Sequence, residues 1–323
     1  MSVWKEGCRS YSHRPSFIYI KSGIQIRQYN RVQDRGPFGG RGVSVGIVTD
    51  DASNIPRDLT KELDIEVVEY PVWFPDEDIN IETPEEIYKQ MREKEMTAKT
   101  SAPPPVRFKR AYQKQLAKYD HVLVILLYKE FSGTYDSAEN AWDRLDDTSR
   151  NRVTLFDSTL ASVAEGLVVL KAHELTKTDM GPADIVSNLE EFKLSVKLFA
   201  FIEDLKWLIK GGRLREPWAG PALALQKAGV RPAIGIANGQ VKMTGLKVTG
   251  KDYIKAMLKE LSRLSRKKPL TAAVAHAGLP QESLMRLKQG IKGMDVELLF
   301  TAQLTPLIGS HTGPGTIMVA YNY

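Results

Sequence analysis

The chain has 323 residues, 42% hydrophobic and 26% charged, a globular composition with material for two domains. Its net charge of +6 arises in residues 1–42, where eight basic residues from Lys5 to Arg41 meet only Glu6 and Asp34, eight minus two. The neutral remainder lacks the electrostatic term that nucleic-acid binding requires, and the single cysteine, Cys8, excludes an intrachain disulfide and a cysteine metal cluster.

The cysteine usage fits a reducing, cytoplasmic setting. Residues 1–42 hold no apolar run of signal-peptide length beyond "FIYI". Their arginine, serine and scarce acids are similar to an organellar transit peptide, a disordered tail or translation from a mis-assigned start codon fits equally well, and we set them aside as a basic, disordered leader.

From Val43 the sequence alternates short β-rich apolar runs with longer periodic polar ones, the pattern of an α/β protein. "VSVGIVTD" (43–50) predicts the first strand; its G-x-S-x-G match at Ser44 is a chance one, because that motif needs serine after a strand rather than at its start. "IEVVEYPV" (65–72) predicts the next. Thr83, Pro84 and Glu86 form a Thr-Pro-x-Glu capping box that opens a helix over 84–95.

"KTSAPPP" follows, with Thr100 and Ser101 ahead of prolines that hold the chain extended. "HVLVILLY" (121–128) predicts a buried strand, too short to span a membrane at ~20 residues. Just beyond it lie Ser132, Gly133 and Thr134, before a helical stretch. At the carboxyl end of a strand, Ser132 either caps that helix or meets an anion.

"RVTLFDS" (152–158) predicts a strand, and "DSTLAS" a helix start capped by Asp157 or Ser158. His173 falls on a helical pattern and His13 in the leader, both as surface residues. Gly181-Pro182 precedes a helix over 183–193, and "KLFAFIE" (197–203) is a strand. "LKWLIKGGRL" reads as a helix stopped by Gly211 and Gly212, with Arg213 just beyond.

Glycine, proline and charge concentrate around 197–215, which divides the body into residues 43–197 and 198–323. "RPAIGIA" and "QVKMTGL" form a hairpin through Asn238-Gly239, so the second sheet is at least partly antiparallel. Strands "LTAAVAHA", "VELLFTAQ" and "TIMVAYNY" follow. Before the last lies "GSHTGPG" (309–315), a loop whose glycines allow close approach and whose His311 and Thr312 supply donors.

"VTDDASNIP", "KTSAPPP", "FSGTYDSA", "DSTLASVAEG", "LKWLIKGGRL" and "GSHTGPG" resemble, in order and spacing, the DegV family of bacterial fatty-acid-binding proteins. The resemblance covers Val43 to the C-terminus. It implies two α/β domains, a mainly parallel N-terminal sheet flanked by helices and a mixed C-terminal sheet with helices, with the ligand at the interdomain cleft.

By the same resemblance a long-chain fatty acid is the bound ligand, its tail in the C-terminal domain, with no cofactor or metal. Thr100 and Ser132 would contact the headgroup with Arg213 and His311 close by, supported by Ser101, Gly133, Thr134 and Thr312. The implied role is a non-catalytic carrier that presents the acid to a separate fatty acid kinase for phospholipid synthesis, with at most transient membrane-surface contact. "WAGPALALQKAG" and "RPAIGIA" could line the tail or simply pack a core.

Departures from the family pattern are "TSAPPP", which lacks an amide and a hydroxyl beside Thr100, Ala164 in place of a glycine, and no arginine in "LKVTGK". A different reading of the residues themselves makes the chain an enzyme acting on an acyl or phosphoryl group, with His311 as general acid or base. A third keeps the fold and changes the cargo to another amphipathic acid.

Overall fold

The computed structural model describes residues 16–19, 25–28, 43–74, 83–214, 217–237, 240–249 and 252–323. Within the leader, strands β1 (Ser16–Tyr19) and β2 (Gln25–Gln28) pair antiparallel. The rest of residues 1–42, with Cys8 and His13, lies outside the described residues.

The first sheet is parallel throughout, in the order β4-β3-β7-β8, from β3 (Val45–Asp50), β4 (Ile65–Val68), β7 (His121–Leu126) and β8 (Val153–Asp157). Between them β5 (Val72–Trp73) and β6 (Lys99–Thr100) make a separate antiparallel ribbon. Connections carry α1 (Arg57–Glu62), α2 (Pro84–Lys94), α3 (Pro105–Leu116), α4 (Thr134–Asp143) and α5 (Asp147–Arg150). α2 starts at the expected capping box, with Thr83 Oγ1 accepting from Glu86 N–H and Glu86 Oε2 from Thr83 N–H.

β7 is apolar without alternation because both its faces are covered. Leu123 and Ile125 join one core, while Val122, Val124 and Leu126 join Phe108 and Tyr112 of α3 and Ala138 and Ala141 of α4 in another. Against the first of these faces lies α6 (Val163–Leu175), followed by α7 (Pro182–Ser195).

The second sheet is mixed, ordered β11-β10-β9-β14-β12-β13, from β9 (Lys197–Phe201), β10 (Val230–Ala237), β11 (Gln240–Thr249), β12 (Leu270–His276), β13 (Val296–Gln303) and β14 (Ile317–Asn322). Only β12 and β13 run parallel. The β10–β11 hairpin closes at the Ala237–Gln240 pair, with Asn238-Gly239 itself outside the described residues. Helices α8 (Lys206–Lys210), α9 (Ala219–Lys227), α10 (Tyr253–Ser265), α11 (Gln281–Ile291) and α12 (Pro306–Thr312) complete the chain.

The two faces of this sheet pack against different layers. Phe199, Phe201, Val274 and Val319 pack outward on α10 and α11, while Ala200, Ala273, Ala275 and Ala320 line the inner face. Those alanines let α6 lie between the sheets, in contact with β3 and β7 on one side and β12 and β14 on the other. A helix enclosed in this way must be apolar nearly all round, and residues 163–169 are all buried. Gly166 is required there: a Cβ would lie 2.6 Å from Ser53 O and 3.1 Å from Phe300 Cζ. Among the described residues no helix is long and apolar enough to cross a membrane.

Candidate functional site

Thr100 is held by β-pairing rather than by proline stiffness alone: it pairs with Val72 across the ribbon, and Ser101 N–H donates to Pro71 O at 3.3 Å. Pro104 is extended and α3 begins directly at Pro105. Ser132 does not cap α4, whose first flanking residue is Gly133 with no side-chain cap. It is extended (φ −158°, ψ 148°), and its Oγ lies 2.8 Å from Thr134 Oγ1. Thr134 is fully buried and meets Tyr70 Oη at 2.6 Å.

The histidine segment is not the loop expected from its glycines. Pro306 starts α12, His311 sits in its last turn, and Gly313 (φ 80°) ends it by donating to Gly309 O at 2.8 Å. Tertiary packing overrides glycine's low helix propensity. Gly309 lies against the Tyr88 ring so closely that any Cβ would collide with it. Thr305 anchors the helix start, its N–H donating to Asn54 Oδ1 at 2.6 Å and its Oγ1 to Asp51 O at 3.0 Å.

α8 ends as expected, with Gly212 at φ 70° supplying the left-handed turn. Arg213 then donates to Gly211 O at 2.8 Å and to Phe131 O at 3.1 Å, tying this turn to the segment that carries Ser132. Asp157 and Ser158, expected to cap a helix, instead accept from Thr159 and Leu160 N–H in a buried turn; α6 starts only at Val163. His173, expected at the surface, is half-buried, and burial lowers its pKa to about 4.

These elements enclose a cavity of about 300 Å³, at the lower end of the range for small-molecule sites. Thr100, Ser101, Ser132, Gly133, Arg213, His311 and Thr312 all line it, although Thr312 Oγ1 donates to Ile308 O within its helix. Thr134 stands behind Ser132. The aliphatic wall is built by Leu198, Ala200 and Ile202 at β9, Ile234 and Ile236 on β10, Val241 on β11 and Met318 on β14. Thus "RPAIGIA" lines the cavity and α9, from "WAGPALALQKAG", does not.

Tyr70 and Ser162 also line the cavity, and sequence reasoning passed over both. Tyr70 sat inside a run read as strand, and Ser162 inside a segment read as a helix start. The one usable signal for Ser162 is its place four residues before Gly166, which must pack closely.

His311 Nε2 lies 3.2 Å from Thr100 Oγ1. Burial, then the Arg213 charge, lowers the imidazole pKa to about 4, so at neutral pH it is uncharged, with one donor and one acceptor nitrogen. Behind the polar end, burial raises Asp50 to about 7 and holds Asp51 and Glu165 well above the carboxylate range. Among the described residues no group of three or more His, Cys, Asp or Glu side chains is arranged to hold a metal ion.

A family model described as "Uncharacterised protein, DegV family" matches residues 44–323. The chain belongs to the DegV family. Protein DegV of Bacillus subtilis is 28% identical over 285 residues, covering 86% of this chain and 99% of its own. A DegV family structure from Thermus thermophilus, described by its fatty-acid binding, matches with TM-score 0.74 and 28% identity over 86% of this chain and 99% of that one. The structure of Bacillus subtilis DegV, described as a fatty acid binding protein, has TM-score 0.71 and 26% identity over 87% and 99%. A stearic acid-binding protein from Eubacterium ventriosum, at 22% identity over 86% and 98% with TM-score 0.75, shares the fold. The DegV match spans both sheets and every residue of the cavity, and leaves residues 1–43 outside.

Proposed function

We propose that this protein binds a long-chain fatty acid, with the carboxylate between Thr100, Ser132, Arg213 and His311 and the acyl tail along the wall of the mixed sheet. The observation that carries this reading is the make-up of one cavity, whose lining combines hydroxyls, an imidazole and a guanidinium with an aliphatic wall on the mixed sheet. The Thermus thermophilus and Bacillus subtilis proteins, described as fatty-acid binding, support it.

The division of labour follows from magnitudes. Burying a ~16-carbon tail at about 0.8 kcal/mol per methylene gives on the order of 10 kcal/mol before association costs. Each hydrogen bond to the carboxylate adds about 1.5–3 kcal/mol. The tail supplies affinity and the polar end fixes orientation. In this reading the protein is a cytoplasmic carrier that needs no cofactor, and acyl-phosphate formation belongs to a separate fatty acid kinase.

His311 supports this reading over an enzyme. Burial and the Arg213 charge lower its pKa to about 4, so at neutral pH the imidazole carries no imidazolium proton for general-acid work. It suits a fixed hydrogen bond. Purified protein should release a stoichiometric long-chain acid on denaturation, and Ser132→Ala should weaken rebinding about tenfold while the fold persists. Turnover of an acyl phosphate or ester by pure protein, abolished in His311→Ala, would overturn the carrier assignment.

A further inference from the structure

Tyr70, Thr134 and Ser132 form a chain of three hydroxyls that runs from the buried interior to the cavity. Tyr70 Oη lies 2.6 Å from Thr134 Oγ1, and Thr134 Oγ1 lies 2.8 Å from Ser132 Oγ. Tyr70 is 6% exposed and Thr134 0%, so water does not compete for the bond between them. Only Ser132 of the latter pair lines the cavity.

Each hydroxyl has one proton to give, so the direction of one bond sets the next. A phenol is the stronger acid and, with its lone pair drawn into the ring, the poorer acceptor, so Tyr70 donates to Thr134. Thr134 then accepts on that side and gives its own proton to Ser132. Ser132, accepting from Thr134, has its proton left for the cavity. Tyr70 cannot lose its proton to break the sequence: burial first, and then the neighbouring Asp50, Glu165 and Asp51 charges, hold its pKa well above the usual 10.

Resting on the fatty-acid reading above, we infer that Tyr70 is a positioning residue that, through Thr134, sets Ser132 as a donor toward an anionic headgroup in the cavity. A carboxylate at the end of such a chain polarises each bond in turn and strengthens it. Thr134 does not line the cavity, and Tyr70, whose ring does, gives its hydroxyl proton to Thr134 in this arrangement rather than to the ligand. Their effect is therefore specific to charge at the headgroup and vanishes once Ser132 Oγ is removed.

The test measures palmitate and methyl palmitate binding to the full chain and to Tyr70→Phe, Ser132→Ala and the double variant, with thermal unfolding as a check on the fold. Tyr70→Phe should weaken palmitate about three- to tenfold, leave methyl palmitate within about twofold, and add nothing in the Ser132→Ala background. Should Tyr70→Phe fail to fold, Thr134→Val interrupts the chain at its middle with the same expected loss, and Thr134→Ser restores binding. Equal losses for both ligands, additive losses in the double variant, or unchanged palmitate binding would overturn the role of Tyr70 while leaving the carrier reading intact. Failure of the unmodified chain to bind any long-chain acid would overturn both.

Discussion

Asn54 Oδ1 accepts a 2.6 Å hydrogen bond from the backbone N–H of Thr305, joining the turn after β3 to the start of the helix that carries His311. Asn54 itself has φ 52°, a left-handed conformation that asparagine tolerates better than most residues, and it is 1% exposed. Asn54→Ala should cost about 2–4 kcal/mol, combining a stranded buried N–H with backbone strain. Asn54→Gly relieves the strain and keeps the stranded donor, so it should recover part of that loss. Urea midpoints for the two variants check this; equal stability of Asn54→Ala and the parent would remove the anchor.

Gly211 and Gly212 are neighbours with different duties. A Cβ on Gly211 would lie 2.9 Å from His311 Nδ1 and 3.2 Å from Trp207 O, whereas Gly212 has open space around it and needs glycine only for φ 70°. Gly211→Ala should shift the imidazole and weaken fatty-acid binding several-fold. Gly212→Ala should cost about 1 kcal/mol of stability and leave affinity alone. Titration calorimetry and thermal melts on both would detect a reversed pattern.

Asp50 is fully buried, and the desolvation outweighs its hydrogen bonds from Leu127 and Ala52 N–H, raising its pKa from 3.8 to about 7. The folded chain therefore keeps a proton that the unfolded chain has released, and the stability this gives is lost as pH rises from about 4 through 7. His173, His276 and His311, all lowered to about 4, slope the other way: their contribution is lost as pH falls from 6.5 toward 4. Comparing Asp50→Asn with the parent cancels the histidines. The parent should lose more stability than the variant between pH 5 and 8, and parallel profiles would contradict the raised pKa.

Ala200 is 3% exposed on β9 and lines the cavity. Ala200→Leu places an isobutyl group in space proposed for the tail. The longest acid accepted should shorten, and because Ala200 also belongs to the buried core the larger side chain should cost about 1–3 kcal/mol of stability. Competition binding over a series of saturated acids reads the cutoff; an unchanged series would place the tail elsewhere.

Much of the fold is legible because local signals agree with it. The unbroken apolar run of β7 and the Thr83–Glu86 capping box mark their elements directly. Thr100, Ser132, Arg213 and His311 are each suggestive alone, and the structure gathers them around one cavity through contacts no local pattern encodes, such as Arg213 donating to Phe131 O. The glycines around His311 read as loop because the ring of Tyr88, far away in sequence, is what lets Gly309 belong to a helix. Tyr70 was hidden for a similar reason: its partner Thr134 lies beyond three further strands.

β14 is the last strand in chain order yet lies in the interior of the mixed sheet, between β9 and β12. During synthesis the parallel sheet, whose strands end at Asp157, can assemble while later residues are still being made. The mixed sheet cannot: until residues 317–322 emerge, β9 and β12 face an empty slot, and the wall carrying Met318 is missing. The cavity thus forms only after residues 317–322 have emerged, and a chain cut short before Ile317 would retain every polar residue of the site without the Met318 wall for a tail.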